Sequence, residues 1–144
     1  MLLPIRHKTP PDTFPFATLG LIVVNVLVFL VTIKGLSIRE ELVNDWAVSS
    51  QHMLPHRFLA SMFLHGDLFH LLGNLWFLWL FGSAVEGRLR APSFLLLYLL
   101  AGVAGDLLQM AVHPGQFQIG ASGAIMGCMG AALYMFPHSL VDFF

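Results

Sequence analysis

Ser122 stands between glycines in Ile119-Gly120-Ala121-Ser122-Gly123-Ala124-Ile125-Met126-Gly127, at the start of an apolar run that continues to Phe136. A hydroxyl at the mouth of a glycine-rich helix is either a packing device or a nucleophile. Gly123, Gly127 and Ala131 follow one another at four-residue spacing, which lets helices approach closely and favours the packing role. A second cluster, His65, His70 and Asn74, bears on the choice. His70 and Asn74 are four residues apart and lie one above the other on a helix face, a good pair of donors. In a soluble core such groups satisfy neighbours; in a membrane they are costly and mark function. A zinc site is the rival chemistry, but asparagine is a poor zinc ligand and no third histidine is well placed. Pro55 stands between His52 and His56 and breaks the helix face on which those histidines would pair. No metal and no cofactor are expected.

The elements that must hold these residues follow from composition. The chain is 57% hydrophobic and only 10% charged, where a soluble domain carries about 25% charged residues. Its mean hydropathy is +0.78. This is the composition of a membrane protein, and a net charge of −1 gives no reason to expect a nucleic-acid partner. Cys128, the single cysteine, excludes an internal disulfide and is read as a small packing residue. Residues 1–144 form a single domain in this reading, with transmembrane helices at about 14–33, 68–85, 93–112 and 121–136, lengths that suit a bilayer. The first is an uncleaved span, because Lys34 and Gly35 follow it where a signal peptide would carry a small-residue cleavage site. Asn25 within it is expected to bond between helices. Residues 34–67, polar but studded with Trp46, Phe58 and Phe63, suggest short amphipathic helices at the interface. Glu86, Arg88 and Arg90 form a short charged turn closed by Pro92. Asp106 and Gln109 share a face of the third span and are expected to hydrogen-bond, with a functional acid as the second reading of Asp106.

Basic residues orient the chain. A cytoplasmic N-terminus puts Arg6, Lys8, Arg88 and Arg90 inside and spreads Lys34, Arg39 and Arg57 over the long outer loop, as the positive-inside tendency favours. Ser122 then lies near the outer end of the fourth span.

Taken together, His65-x4-His70-x3-Asn74, Leu80-Phe81-Gly82-Ser83-Ala84-Val85-Glu86 and Gly120-Ala121-Ser122-Gly123-Ala124 resemble the rhomboid intramembrane serine proteases. A soluble esterase elbow does not fit, because Ala124 stands where it needs glycine. The resemblance implies an all-α polytopic bundle, of which this chain holds four of six core helices, in a bacterial cell membrane. It implies that Ser122 is the nucleophile, that His70 and Asn74 stabilise the oxyanion with the Ser122 backbone, and that His65 supports the site. It makes Gly120 and Gly123 the close-packed flanks of the serine and Glu86 a structural glutamate. The implied partners are transmembrane protein substrates and the lipid bilayer. Peptide hydrolysis in a membrane needs these parts: an activated hydroxyl, donors aimed at the oxyanion and a route for water.

The general base in that family is a histidine on the sixth helix. His113 follows the third span, and His138 stands about 24 Å along the fourth from Ser122 at a helical rise of about 1.5 Å per residue. These 144 residues alone are therefore expected to be inactive, with the Gly123, Gly127 and Ala131 face left open where the sixth helix would lie. Asp106 departs from the family, which carries small or apolar residues there, and Arg90 stands near a position often occupied by glycine. The other function considered is a rhomboid-like membrane protein that binds transmembrane clients without catalysis.

Overall fold

The computed structural model describes residues 4–7, 14–35, 37–137 and 141–143, with side chains for 14–35 and 37–137. Lys8 and His138 lie outside the described residues. Near the chain ends β1 (Pro4–His7) pairs antiparallel with β4 (Val141–Phe143). Between them runs a helical bundle: α1 (Phe16–Thr32), a small ribbon of β2 (Ile33–Lys34) and β3 (Ser37–Ile38), α2 (Glu40–Trp46), α3 (Pro55–Ser61), α4 (Leu68–Phe77), a π-helical stretch (Leu78–Gly82), α5 (Ser83–Leu89), α6 (Ala91–Val112) and α7 (Ser122–Met135).

Side chains are sorted as in a bilayer. Thr18, Asn25, Ser61, His65, Asn74 and Glu86 are buried, while Leu27, Leu30, Val31, Leu96, Leu100, Leu108, Met126 and Leu133 face outward. A lipid-facing surface gains nothing from polar groups, whereas a water-facing one would lose by exposing so many large apolar ones. The continuous helix Leu68–Leu89 and the helix Ala91–Val112 are each 22 residues long and apolar enough to cross a membrane; α1 and α7 are shorter apolar helices. The chain is a helical membrane protein.

Glu86 explains how α1 and α5 are joined. The first amides of a helix have no partner inside it, and α1 receives no side-chain cap from Pro15. Glu86 supplies one from across the bundle. Its Oε1 accepts from Ala17 N at 2.9 Å, and its Oε2 accepts from Thr18 N at 2.7 Å and Thr18 Oγ1 at 2.8 Å. The carboxylate also faces the positive end of the helix dipole. The expected charged turn is thereby corrected: Glu86 and Arg88 lie within α5, and the helix breaks only at Arg90, whose φ of 65° is the only positive one at a non-glycine among the described residues. The carboxylate has a buried job, so the helix need not end to release it. Glu86→Ala would orphan two amides and remove a charge-assisted cap, a cost of about 2–4 kcal/mol. Thermal unfolding in detergent should show a lowered Tm, with Glu86→Gln intermediate; an unchanged Tm for Glu86→Ala would refute the capping role.

The other end of α1 is closed by Arg39, whose guanidinium donates to Val31 O and to Thr32 O. Arg57 does the same for α2, donating from Nη1 to Asn44 O at 2.9 Å and Ala47 O at 3.0 Å. Cations suit helix C-termini, so these charges of the long loop are structural. Asn25 Nδ2 donates to Leu21 O of its own helix at 2.7 Å.

Helices α6 and α7 meet through small residues. A Cβ built on Gly105 would lie 2.8 Å from Gly123 Cα, and one on Gly127 would lie 2.2 Å from Ala101 Cβ. The Gly123 and Gly127 face is therefore occupied by α6, not open as the sequence suggested, because α6 brings its own small residues, Ala101, Gly102 and Gly105, to the contact. What α7 leaves exposed is the neighbouring stripe of Ser122, Met126, Gly130 and Leu133, together with Tyr134. Cys128 is fully buried in the core with Leu78, Phe94, Tyr98 and Ala124.

Candidate active site

Helix α4 starts at Asp67, whose Oδ1 accepts from His70 N at 2.9 Å. Such a cap fixes the helix start and hence the face that carries His70, Leu71 and Asn74. Asn74 is 9% exposed, and its Nδ2 is buried with no hydrogen-bond partner among the described residues. An unspent donor of this kind costs stability unless something else uses it.

Helix α7 starts at Ser122, which is exposed at the helix N-terminus. The first-turn amides around it have no intrahelical acceptors and lend the positive end of the helix dipole to that point. The preceding loop brings Ser122 to α4. Gln118 N donates to Val48 O at 2.7 Å, Gly120 N donates to Ser61 O at 2.8 Å, and Gly115 N donates to Ser50 Oγ at 2.9 Å. Gly120 has a φ of 109°, and a Cβ there would lie 2.6 Å from His70 Nε2 and 3.5 Å from Asn74 Nδ2. Glycine is required on both counts: the conformation belongs to it, and only a bare Cα fits against the donors.

Asn74 and Ser122 open onto one cavity of about 340 Å³, completed by Phe77, Ile125, Met126 and Met129. A polar rim holding a hydroxyl and an amide thus borders an apolar recess between α4 and α7.

His65 lies beneath. It is fully buried, and its ring meets that of His70 edge-on with centroids 5.2 Å apart. Its Nδ1 is 3.2 Å from Phe63 O, which makes Nδ1 the protonated nitrogen of a neutral ring and leaves Nε2 buried without a partner among the described residues. Burial, assisted by His70 and opposed by the Phe63 carbonyl, pushes its pKa down to about 4 from 6.5. The folded protein therefore refuses a proton that the unfolded chain accepts. Above pH 6.5 both states are neutral and nothing is lost. As pH falls from 6.5 to about 4 the unfolded state gains, and the full penalty, about 3 kcal/mol, is reached below about 4. Thermal unfolding between pH 7 and 5 should show a falling Tm whose slope His65→Phe reduces; an unchanged slope would assign the effect to another group.

The structure thus brings Ser122, Asn74, His70 and Gly120 together, with His65 one layer below. Gly123 serves the α6 contact, and Glu86 stands at the far end of the α4–α5 helix as the cap of α1. No side chain among the described residues hydrogen-bonds Ser122 Oγ, and His113 is exposed at the C-terminal end of α6. His52 and His56 diverge: His52 stacks on Phe117, and His56 meets Trp46 edge-on. Asp106 is bonded by Ser61 Oγ at 3.2 Å, a correction to the expected Gln109 pairing, because Gln109 points outward. Sequence inspection missed Phe77, Met126 and Met129 as cavity walls, Ser61 as the anchor of Gly120 and Asp67 as the cap. Asp67 carried a signal, an acid just ahead of an apolar helical run; the others carried none.

A family profile for the Rhomboid domain matches residues 53–144. The chain belongs to the rhomboid family. It is 34% identical over 134 residues to Rhomboid protease GluP of Bacillus subtilis, covering 90% of this chain and 25% of that protein. It is 31% identical over 154 aligned positions to the mitochondrial Rhomboid protein 1 of Saccharomyces cerevisiae, covering 95% of this chain and 40% of that one. It is 32% identical over 124 residues to the mitochondrial Presenilin-associated rhomboid-like protein of Homo sapiens, covering 83% and 32% respectively. The chain therefore spans a quarter to two-fifths of the length of these rhomboid relatives.

Proposed function

We propose that this chain forms the nucleophile-bearing part of an intramembrane serine endopeptidase acting on transmembrane protein substrates. The observation that carries the proposal is the shared cavity of Ser122 and Asn74, with Gly120 packed against Asn74 and His70. Ser122 Oγ attacks the scissile carbonyl carbon. The carbonyl oxygen gains the negative charge and is met by Asn74 Nδ2, the His70 ring and the free amides at the start of α7, donors in place before the charge develops. The apolar recess takes a substrate side chain, which suits substrates drawn from a bilayer. His65 holds the His70 ring from below. The tetrahedral adduct collapses by breaking the scissile C–N bond, and the amine leaves with the proton that the hydroxyl had given to the base; water then hydrolyses the acyl-enzyme ester and releases Ser122.

The hydroxyl proton goes to a general base that we assign to sequence not contained in these 144 residues. No described residue bonds Ser122 Oγ, and the relatives are more than twice as long. We place the protein in a bacterial cell membrane with its N-terminus in the cytoplasm, supported by the distribution of Lys and Arg and by the Bacillus subtilis relative. Cleavage of a reporter transmembrane substrate by the full-length protein in liposomes, lost in Ser122→Ala, tests the activity. Equal cleavage by both proteins would refute the assignment, and binding of the reporter without cleavage would favour a client-binding role.

A further inference from the structure

Asp106 is a carboxylate on α6 next in sequence to a small-residue contact, and the reaction above makes no use of it. It follows Gly105, whose Cα side abuts Gly123 at the start of α7. Its Oδ2 accepts from Ser61 Oγ at 3.2 Å. Ser61 is 1% exposed and ends α3. The Ser61 carbonyl accepts the Gly120 amide at 2.8 Å, and Gly120 is the residue packed against His70 Nε2 and Asn74 Nδ2. These contacts run without a gap from α6, through α3, to the wall of the oxyanion site.

We propose that Asp106 is a positioning residue, which through Ser61 sets where Gly120 stands against His70 and Asn74. The proposal rests on the protease function above. Ser61 has a single hydroxyl proton and two acceptors in reach, Asp106 Oδ2 and Phe58 O at 3.0 Å. A bond to the carboxylate is the stronger kind and ties α3 to α6. A bond to Phe58 O stays within α3 and ties it to nothing. Removing the carboxylate therefore leaves no buried donor unsatisfied, so the fold loses little, while the Gly120 anchor loses its outer support. Displacements of a fraction of an ångström among catalytic donors are enough to change rate.

The test uses the full-length protein in detergent, with Asp106→Leu, Asp106→Asn, Ser61→Ala and the Asp106→Leu/Ser61→Ala pair. Two quantities are read: kcat and KM on a reporter transmembrane substrate, and hydrogen exchange of the Gly120 amide. Asp106→Leu should lower kcat about tenfold with KM unchanged and speed exchange at Gly120. Asp106→Asn keeps a side-chain oxygen for Ser61 but not its charge, so it should fall between wild type and Asp106→Leu in both. Ser61→Ala should match Asp106→Leu, and the pair should be no worse than either alone. The proposal is overturned if Gly120 exchange is unchanged in Asp106→Leu, if exchange rises while kcat holds, or if KM moves in place of kcat. Should the wild-type protein not cleave at all, the protease function fails. Unaltered Gly120 exchange would then also refute the tether, and faster exchange would uphold it.

Discussion

Ser122→Ala should reduce cleavage of a transmembrane reporter by the full-length protein at least a thousand-fold, and Asn74→Ala by roughly a hundred- to a thousand-fold. The two losses have different origins. Without Ser122 Oγ no acyl-enzyme forms, and what remains is water acting beside the oxyanion donors. Without Asn74 the covalent route persists, but the oxyanion loses a side-chain donor that the described structure leaves buried and unspent beside Ser122. That donor was desolvated on folding, so its bond to the oxyanion competes with no protein acceptor. The loss should fall on kcat and leave KM in place, because the interaction strengthens only as charge develops. Steady-state rates in liposomes measure both effects. Asn74→Ala with wild-type turnover would remove Asn74 from the oxyanion site.

Gly120→Ala should damage activity far out of proportion to the single methyl group it adds. The new Cβ would sit 2.6 Å from His70 Nε2 and 2.7 Å from His70 Cε1, at a φ of 109° that side chains rarely adopt. The backbone strain is of order 1–3 kcal/mol. Relief requires either that the His70 ring turn away or that the Gly120 amide leave Ser61 O, and each disorders the donors. Activity should fall at least a hundred-fold, while the Tm in detergent drops by only a few degrees. Gly130→Ala is the control: no atom lies near its Cβ position, so the same change four residues from Met126 on the exposed stripe should be silent. Wild-type activity in Gly120→Ala would show that the donors do not depend on this contact.

Much of this was legible in the sequence, for definite reasons. Apolar helices announce themselves by their lack of charge, so the helices α1, α6 and α7 were readable to within a residue or two at most ends. His70, Asn74 and Ser122 were visible because polar groups are scarce in such runs. Interactions carried by backbone atoms were not. The bonds from Gly120 to Ser61 and from Gln118 to Val48 use amides and carbonyls that every residue has, so no residue type signals them. Glu86 was singled out by resemblance, but its role as the cap of α1 needs the packing of α5 on the start of α1, and a charge in an apolar helix otherwise reads as a turn. Asp106 was paired with Gln109 because only contacts along one helix can be counted from a sequence; its partner lies 45 positions away.

A nucleophilic role for Ser122, as opposed to a packing one, has a direct chemical signature. A membrane-impermeant fluorophosphonate, which phosphonylates an activated serine hydroxyl, should label the full-length protein when applied to right-side-out vesicles. Peptide mapping should place the adduct on Ser122, and Ser122→Ala should take no label. Absence of label from the wild-type protein on either side of the membrane, or an adduct on a different residue, would contradict it.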